Sequence, residues 1–183
     1  FRIVSGLRYS EDTFTTDVTN FLNVESFQEE GTTDEITSRV VAEVDFSEDL
    51  MGYFALARGF KPGGSNLTFG FDDDNAPPMV FPTFEAETVD SVEFGLKSVF
   101  ADGAARANIA VFSYTYENLQ FQATDPDIYR GGVANIPESE MSGLEIEFTG
   151  FLTDSLSLDM NLAFLDSEVT SDYEVLDNVD AYP

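Results

Sequence analysis

The 183-residue sequence contains no cysteine, no histidine and no tryptophan. Without cysteine there is no disulfide and no thiolate chemistry. Without histidine the commonest general base and the usual zinc ligand are both missing. Most hydrolase and metalloenzyme arrangements are thereby excluded, and neither a metal site nor a cofactor is expected. Basic residues are scarce too: 8 Lys and Arg stand against 35 Asp and Glu, a formal charge of −27. That balance excludes nucleic acid, whose phosphates need cations, as a partner. No apolar run reaches the ~20 residues of a membrane-spanning helix. Phe1 opens directly in strand-like sequence, with neither Met nor a signal peptide before it, so an exported protein with this sequence is expected to have more chain upstream.

What the chain has instead is phenylalanine and a two-residue beat. Its 18 Phe and 14% aromatic content favour strands, because aromatic and β-branched side chains suit a pleated surface. Seven stretches alternate with period two: residues 1–10, 35–46, 50–60, 89–100, 105–121, 141–152 and 155–170. Three connections, at 47–49, 101–104 and 153–155, are short enough for hairpin turns. The remaining connections are long, and they alternate strictly with the short ones. Short turns therefore lie on one edge of the sheet and long connections on the other. The segments 11–34, 61–88, 122–140 and 166–183 hold 22 of the 35 acidic residues, so the negative charge is concentrated along that second edge.

Register can be tested on each hairpin, because a slip of one residue would exchange the two faces. Pairing Leu152 with Leu156 sets Gly150 opposite Leu158, Phe148 opposite Met160, Ile146 opposite Leu162 and Leu144 opposite Phe164. The opposite face then carries Thr149 with Asp159, Glu147 with Asn161 and Glu145 with Ala163. In the middle hairpin Phe100, Ser98, Leu96 and Phe94 meet Ala105, Ala107, Ile109 and Val111, leaving Lys97 opposite Asn108 and Val99 opposite Arg106. In the first, Phe46, Val44, Ala42 and Val40 meet Leu50, Gly52, Phe54 and Leu56, while Arg39, Glu43 and Asp45 point the other way. Ile3, Leu7 and Tyr9 extend the apolar face, with Arg2 and Arg8 opposite. On this reading Arg58 is the one charge on the apolar face.

A soluble sandwich also alternates, with its polar side in water. Long strands, one-sided turn lengths and a polar face mixing Arg, Lys, Asp, Glu and Asn favour a transmembrane barrel, apolar band outward and polar lumen inward. The expected fold is all-β, an antiparallel up-and-down meander of seven long strands in sequential order. The alternatives are a small passive porin or adhesin-like barrel and a soluble β-sandwich binding module.

Several motifs resemble one family, the TonB-dependent outer-membrane receptors. Ala57-Arg58-Gly59-Phe60-Lys61-Pro62-Gly63-Gly64-Ser65-Asn66 resembles the end of a barrel strand that in these receptors commonly reads as a small residue, then RGFK, a variable residue and GG. Further on, Glu87-Thr88-Val89-Asp90-Ser91-Val92-Glu93-Phe94-Gly95-Leu96-Lys97-Ser98 is similar to the ET-plus-EFGLKS segment that opens the next strand pair. Gly6-Leu7-Arg8-Tyr9-Ser10, Ala110-Val111-Phe112-Ser113-Tyr114-Thr115-Tyr116 and Ser142-Gly143-Leu144-Glu145-Ile146-Glu147 fit in the same order. The resemblance implies an open, curved segment of a roughly 22-stranded transmembrane β-barrel around an N-terminal plug. No plug, TonB box or closing strand is recognisable, so residues 1–183 are expected to be an internal, partial barrel domain. It also implies a bacterial outer-membrane receptor that imports a scarce nutrient complex, foremost an iron–siderophore, with energy from a TonB complex acting through the plug. Catalysis is not implied.

Candidate residues follow from the faces. Arg39, Glu43, Glu93, Lys97, Arg106, Asn108, Glu145, Glu147, Asp159 and Asn161 are expected to face the lumen. Val40, Val44, Phe54, Leu56, Phe94, Leu96, Ile109, Val111, Leu144, Ile146, Phe148, Leu158, Met160 and Leu162 are expected to face outer-membrane lipid. Lys61, Asn66, Tyr114, Tyr116, Tyr129 and Arg130 are candidates for facing a ligand. Tyr114 and Tyr116 read equally well as an aromatic belt, since a bulge would turn them to the other side. Asp72-Asp73-Asp74-Asn75 reads as a solvated acidic loop: the sixth position of a calcium loop needs Gly, and Pro77 stands there. Glu145 and Glu147 read as wall carboxylates, not as a glycosidase pair. The acidic connections disfavour anionic ferric catecholates and leave neutral or cationic chelates, cobalamin or oligosaccharides open.

Overall fold

Alternation of apolar and polar side chains builds strands long enough to outrun any one hydrophobic layer. The computed structural model describes residues 1–19, 26–66, 83–124, 131–153 and 155–172. In chain order the strands are β1 (Arg2–Thr19), β2 (Ser26–Asp45), β3 (Leu50–Lys61), β4 (Gly64–Ser65), β5 (Thr83–Phe84), β6 (Glu87–Phe100), β7 (Ala105–Thr124), β8 (Gly131–Thr153) and β9 (Leu156–Val169). Seven of them form one antiparallel sheet in the order β1-β2-β3-β6-β7-β8-β9, and β4 pairs with β5 in a separate two-stranded ribbon. The sequential order agrees with the expected meander.

The register agrees through the apolar band: Phe148 opposite Met160, Ile146 opposite Leu162, Leu96 opposite Ile109, Phe94 opposite Val111 and Ala42 opposite Phe54. One expected pair fails. Thr153, not Leu152, meets Leu156, across a register shift between Phe151 and Thr153. The tight connection causes it: the Ser155 amide donates to Thr153 Oγ1 at 3.3 Å, which draws the turn in by one residue. In the middle turn Ala101, Asp102 and Gly103 all adopt positive φ, and the Ala104 amide donates back to the Ala101 carbonyl at 3.0 Å.

Strand ends are where the sequence misleads. β1 and β2 stay paired out to Thr19 opposite Ser26, and β7 and β8 out to Thr124 opposite Gly131. Much of 11–34 and 122–140 is therefore ladder, not loop. Beyond the apolar band both faces are polar, as in Glu11-Asp12-Thr13, so the period-two hydrophobic signal stops while the backbone hydrogen bonds continue. The β4–β5 ribbon, within 61–88, is too short to alternate at all.

Arg58 is not the lone charge on its face. Asp90 lies directly opposite it, with Arg58 Nη1 2.7 Å from Asp90 Oδ2. On the same face Glu140 is opposite Glu168 and Asp166 opposite Ser142. A charged collar thus closes the apolar band on the long-connection side. Between this collar and the turns the band covers about nine residues, Val92 to Phe100 on β6, close to the ~9–11 that a tilted strand needs to cross a bilayer.

The sheet has almost no core. Among the described residues only Val41, Ala105, Phe112 and Ala134 are buried apolar side chains, whereas Leu7, Phe94, Val111 and Phe164 are among many large ones left open. Phe54 and Phe94 touch across strands with ring centres 4.6 Å apart, so the apolar face is laterally packed but uncovered. Such a face is a binding surface for something apolar.

Candidate functional site

Every residue expected to face a lumen lies on one side of the sheet, and every residue expected to face lipid lies on the other. Of the seven described Lys and Arg residues, only Arg58 shares the apolar side. The polar side is ordered in rows running across the strands. Nearest the short turns is Val99-Arg106-Thr149-Asp159, then Met51-Lys97-Asn108-Glu147-Asn161, then Arg2-Glu43-Tyr53-Gly95-Ala110-Glu145-Ala163. These rows are tied by side-chain bonds. Asn108 Nδ2 donates to Glu147 Oε2 at 3.0 Å, Thr149 Oγ1 donates to Asp159 Oδ1 at 2.8 Å, and Arg2 is ion-paired with Glu43.

Tyr53 is the hinge of this network. It stands opposite Gly95, and its ring lies flat over the space that a side chain there would take. In that position Tyr53 Oη donates to Glu93 Oε1 at 2.6 Å, and Lys97 Nζ sits 5.3 Å from the ring centre. Glu93, Gly95 and Lys97 alternate on β6, so one bare residue lets one ring bridge an acid and a base. The hollow beside it, about 170 Å³, is lined by Tyr53, Glu93, Lys97, Asn108, Glu145 and Glu147. A larger hollow of about 470 Å³ lies on the other face, over Gly52 between Phe46, Phe54 and Phe94, and presents almost only carbon. The charged and hydrogen-bonding side chains are on the polar wall.

Above these rows the same wall changes character. Val4-Val41-Ala55-Glu93-Phe112-Gly143-Leu165 is followed by Gly6-Arg39-Ala57-Ser91-Tyr114-Met141-Ser167 and by Gly59-Val89-Tyr116-Ser139-Val169. Tyr114 and Tyr116 therefore stand on the polar wall. Pairing between β7 and β8 runs without a shift from Ala105 to Glu117, so no bulge turns them round. Phe112 is only 6% exposed, its ring stacked on Tyr114 at 4.9 Å and lying against Gly143. Sequence reasoning missed this apolar upper half; the signal was Phe112, Tyr114 and Met141 at alternate positions otherwise read as polar.

Beyond Tyr116 a cluster of amides fixes the long connections. Asn66 donates to the Val133 carbonyl at 2.8 Å and accepts from its amide at 2.7 Å, much as a paired strand would. Gln120 donates to the carbonyls of Pro62 and Glu85, at 2.9 and 3.0 Å. Asn135 accepts from the Glu85 amide and donates to the carbonyls of Glu85 and Asn118. Asn66, expected to face a ligand, thus has its carboxamide engaged with β8. Lys61 lies opposite Glu87 at the top of the wall. Tyr129, Arg130 and Asp72-Asp73-Asp74-Asn75 lie outside the described residues. Among the described residues no group of acidic side chains is placed to hold a metal ion.

A family profile described as TonB dependent receptor-like, beta-barrel, matches residues 1–182. The probable TonB-dependent siderophore receptor PiuA of Acinetobacter baumannii is 31% identical over 120 residues, covering 64% of this chain and 15% of its own length. The pesticin receptor of Yersinia enterocolitica is 28% identical over 184 residues, 96% of this chain and 25% of its own. The chain thus spans a quarter or less of these curated relatives, which are receptors and not enzymes. Among solved structures, the ferric yersiniabactin uptake receptor FyuA from Yersinia pestis superposes with a TM-score of 0.72 at 24% identity, over 93% of this chain and 24% of its own. The copper transporter OprC superposes at 0.67 with 14% identity, over 95% of this chain and 28% of its own. Barrels named for different cargoes share this sheet, so the fold does not name the cargo. With its apolar band, charged collar and polar wall lying within a profile match that runs almost end to end, the chain belongs to the TonB-dependent receptor β-barrel family of the bacterial outer membrane.

Proposed function

We propose that residues 1–183 form part of the wall of a roughly 22-stranded barrel that binds an iron–siderophore complex from outside and admits it to the periplasm with TonB-transmitted energy. The observation that carries this reading is the division of the sheet: one face all but free of charge below the collar, the other holding the charged, amide and tyrosine side chains. On this reading Val40, Leu96, Ile109, Phe148 and Met160 contact lipid, and Arg39, Lys97, Glu145 and Asn161 line the lumen, where a plug from elsewhere in the receptor docks. The names of the siderophore receptor PiuA and of the ferric yersiniabactin uptake receptor FyuA support an iron chelate as cargo. Lys61, Tyr114 and Tyr116 meet it first, together with Tyr129 and Arg130 from the β7–β8 connection, which are assigned from the sequence alone. The wall binds and orients, and the energy-coupling groups belong to the plug; no catalytic step is assigned.

In a full-length receptor freed of any other cysteine, single Leu96→Cys and Asn108→Cys variants report each face separately, since residues 1–183 contribute none. In intact membranes Leu96→Cys should react with a lipid-dissolved maleimide only, and Asn108→Cys with a water-soluble one only; the reverse pattern refutes the assignment of faces. For cargo, a strain lacking the receptor should fail to grow on one siderophore as sole iron source, and a strain lacking TonB should fail likewise. Growth of both on every siderophore refutes the transport reading.

A further inference from the structure

The apolar face is not uniform: its hollow of about 470 Å³ is sunk into four strands, β2, β3, β6 and β7. The middle row is Val44-Gly52-Leu96-Ile109, and Ala42-Phe54-Phe94-Val111 bounds it on the side of the collar. Gly52 keeps the space free. A Cβ there would stand 2.7 Å from Phe46 Cε2 and 3.3 Å from Leu96 Cδ2, so ring and leucine close around bare backbone. Along β2 the lining runs from Ala42 to Phe46, roughly 13 Å of extended strand. Against a hydrocarbon core of ~30 Å the hollow stays within one leaflet, that on the side of the short turns. Left empty in a bilayer, its carbon lining would lose dispersion contacts, which a flexible hydrocarbon chain restores.

The rim of the hollow narrows whose chain that is. Phe46 leads straight into Ser47-Glu48-Asp49, and Asp102 lies in the turn that joins β6 to β7. The Val99 amide donates to the Asp49 carbonyl at 2.9 Å, which holds the first turn against β6 just before the second. Glu48, Asp49 and Asp102 are all exposed. The bases of β6 and β7, Lys97 and Arg106, stand on the polar wall instead. A lipid with an anionic headgroup meets like charge at this rim, and one whose headgroup ends in an ammonium meets its counter-charge. A second copy of the chain is the poorer occupant. Two copies apposed through this face, about an axis normal to the membrane, would set Glu48 and Asp49 beside their own equivalents. We propose that the hollow binds one acyl chain of a phospholipid with a primary-amine headgroup, its ammonium held at the rim of Glu48, Asp49 and Asp102. This inference rests on the assignment of the apolar face to lipid made above.

The test uses the full-length receptor in bilayer discs of equal parts phosphatidylethanolamine and phosphatidylglycerol with matched chains, released into native mass spectrometry. Gly52→Leu and Val44→Trp each fill the hollow from a different strand, and the gel shift of the folded barrel shows that they fold. Wild-type receptor should retain one lipid more than either, and that lipid should be the ethanolamine about five times as often as the glycerol, the worth of about one charge contact at a membrane surface. The triple variant Glu48→Gln, Asp49→Asn, Asp102→Asn should still retain it, with the ratio lowered to about one. Unchanged retention in folded filling variants, or an unchanged ratio in the triple variant, overturns the proposal. A dimer mass that both filling variants abolish makes a second copy the occupant and overturns it equally. Maleimide labelling of Leu96→Cys separates the two readings. Labelling from lipid without a retained ethanolamine sinks this inference alone, and labelling only from water sinks the assignment of the face with it.

Discussion

Replacing Gly95 with alanine tests the junction on which the polar wall turns. A Cβ at Gly95 would lie inside the contact distance of Tyr53 Cε1, Cζ and Oη, so the ring must leave the strand. Moving it breaks the hydrogen bond to Glu93 and takes the ring from under Lys97. Overpacking costs about 1–3 kcal/mol, a hydrogen bond to a charged acceptor is worth about 1.5–3 kcal/mol, and an exposed cation–π contact about 0.5–1 kcal/mol. These overlap, because a ring that swings away relieves the clash by giving up the contacts. Alanine also restricts the unfolded chain and returns about 0.4–1 kcal/mol. The net expectation is a loss of about 2 kcal/mol. Urea unfolding of the full-length receptor in lipid vesicles, followed by the mobility difference between folded and unfolded barrel on a gel, measures it. The partner variant decides the cause: in a Tyr53→Ala background Gly95→Ala should be neutral or slightly stabilising. If Gly95→Ala costs as much there as in the wild type, the ring is not what the glycine accommodates and the reasoning fails.

Phe94→Arg places a charge in the apolar band and should destabilise by about 2–4 kcal/mol in bilayers, whereas Glu145→Arg on the opposite face should change stability by under about 1 kcal/mol; equal effects in the same urea assay would contradict the two-faced sheet. At Gly103, φ is +87° and a Cβ would touch nothing within 4 Å, so Gly103→Ala should cost about 1 kcal/mol from backbone conformation alone. A fully tolerated Gly103→Val in urea melts would show the turn to be different. Asn135→Ala removes the tie between β8 and the segment at Glu85 and should speed protease cleavage near the β4–β5 ribbon in intact cells, with band stability unchanged; an unaltered digestion pattern would remove its role as a strut.

The expected register holds through the band because alternation there is a burial signal: with one face in hydrocarbon, a slip would expose every side chain wrongly. Arg58 shows the limit of that reasoning. Its partner Asp90 was readable at the correct parity, but a pair of charges at the edge of an apolar band looks like the end of the strand, and the chain continues. Tyr114 and Tyr116 were undecided because parity alone does not exclude a bulge; the unbroken pairing of β7 with β8 settles their face. Asn66 reads as a ligand-facing candidate because no sequence pattern shows that Val133 lies across from it.

By itself the sequence determined the all-β class, the strand order, the register of the three hairpins through the apolar band and the two-faced character of the sheet. All of these are local: period-two patterning and turn length act within one hairpin. Only the tertiary structure decided how far the strands run beyond the band, which amides knit the long connections, and which side chains from different hairpins share a row. Those depend on backbone pairing between polar segments and on neighbours as distant in sequence as Arg39 and Tyr114, for which hydrophobic period carries no signal.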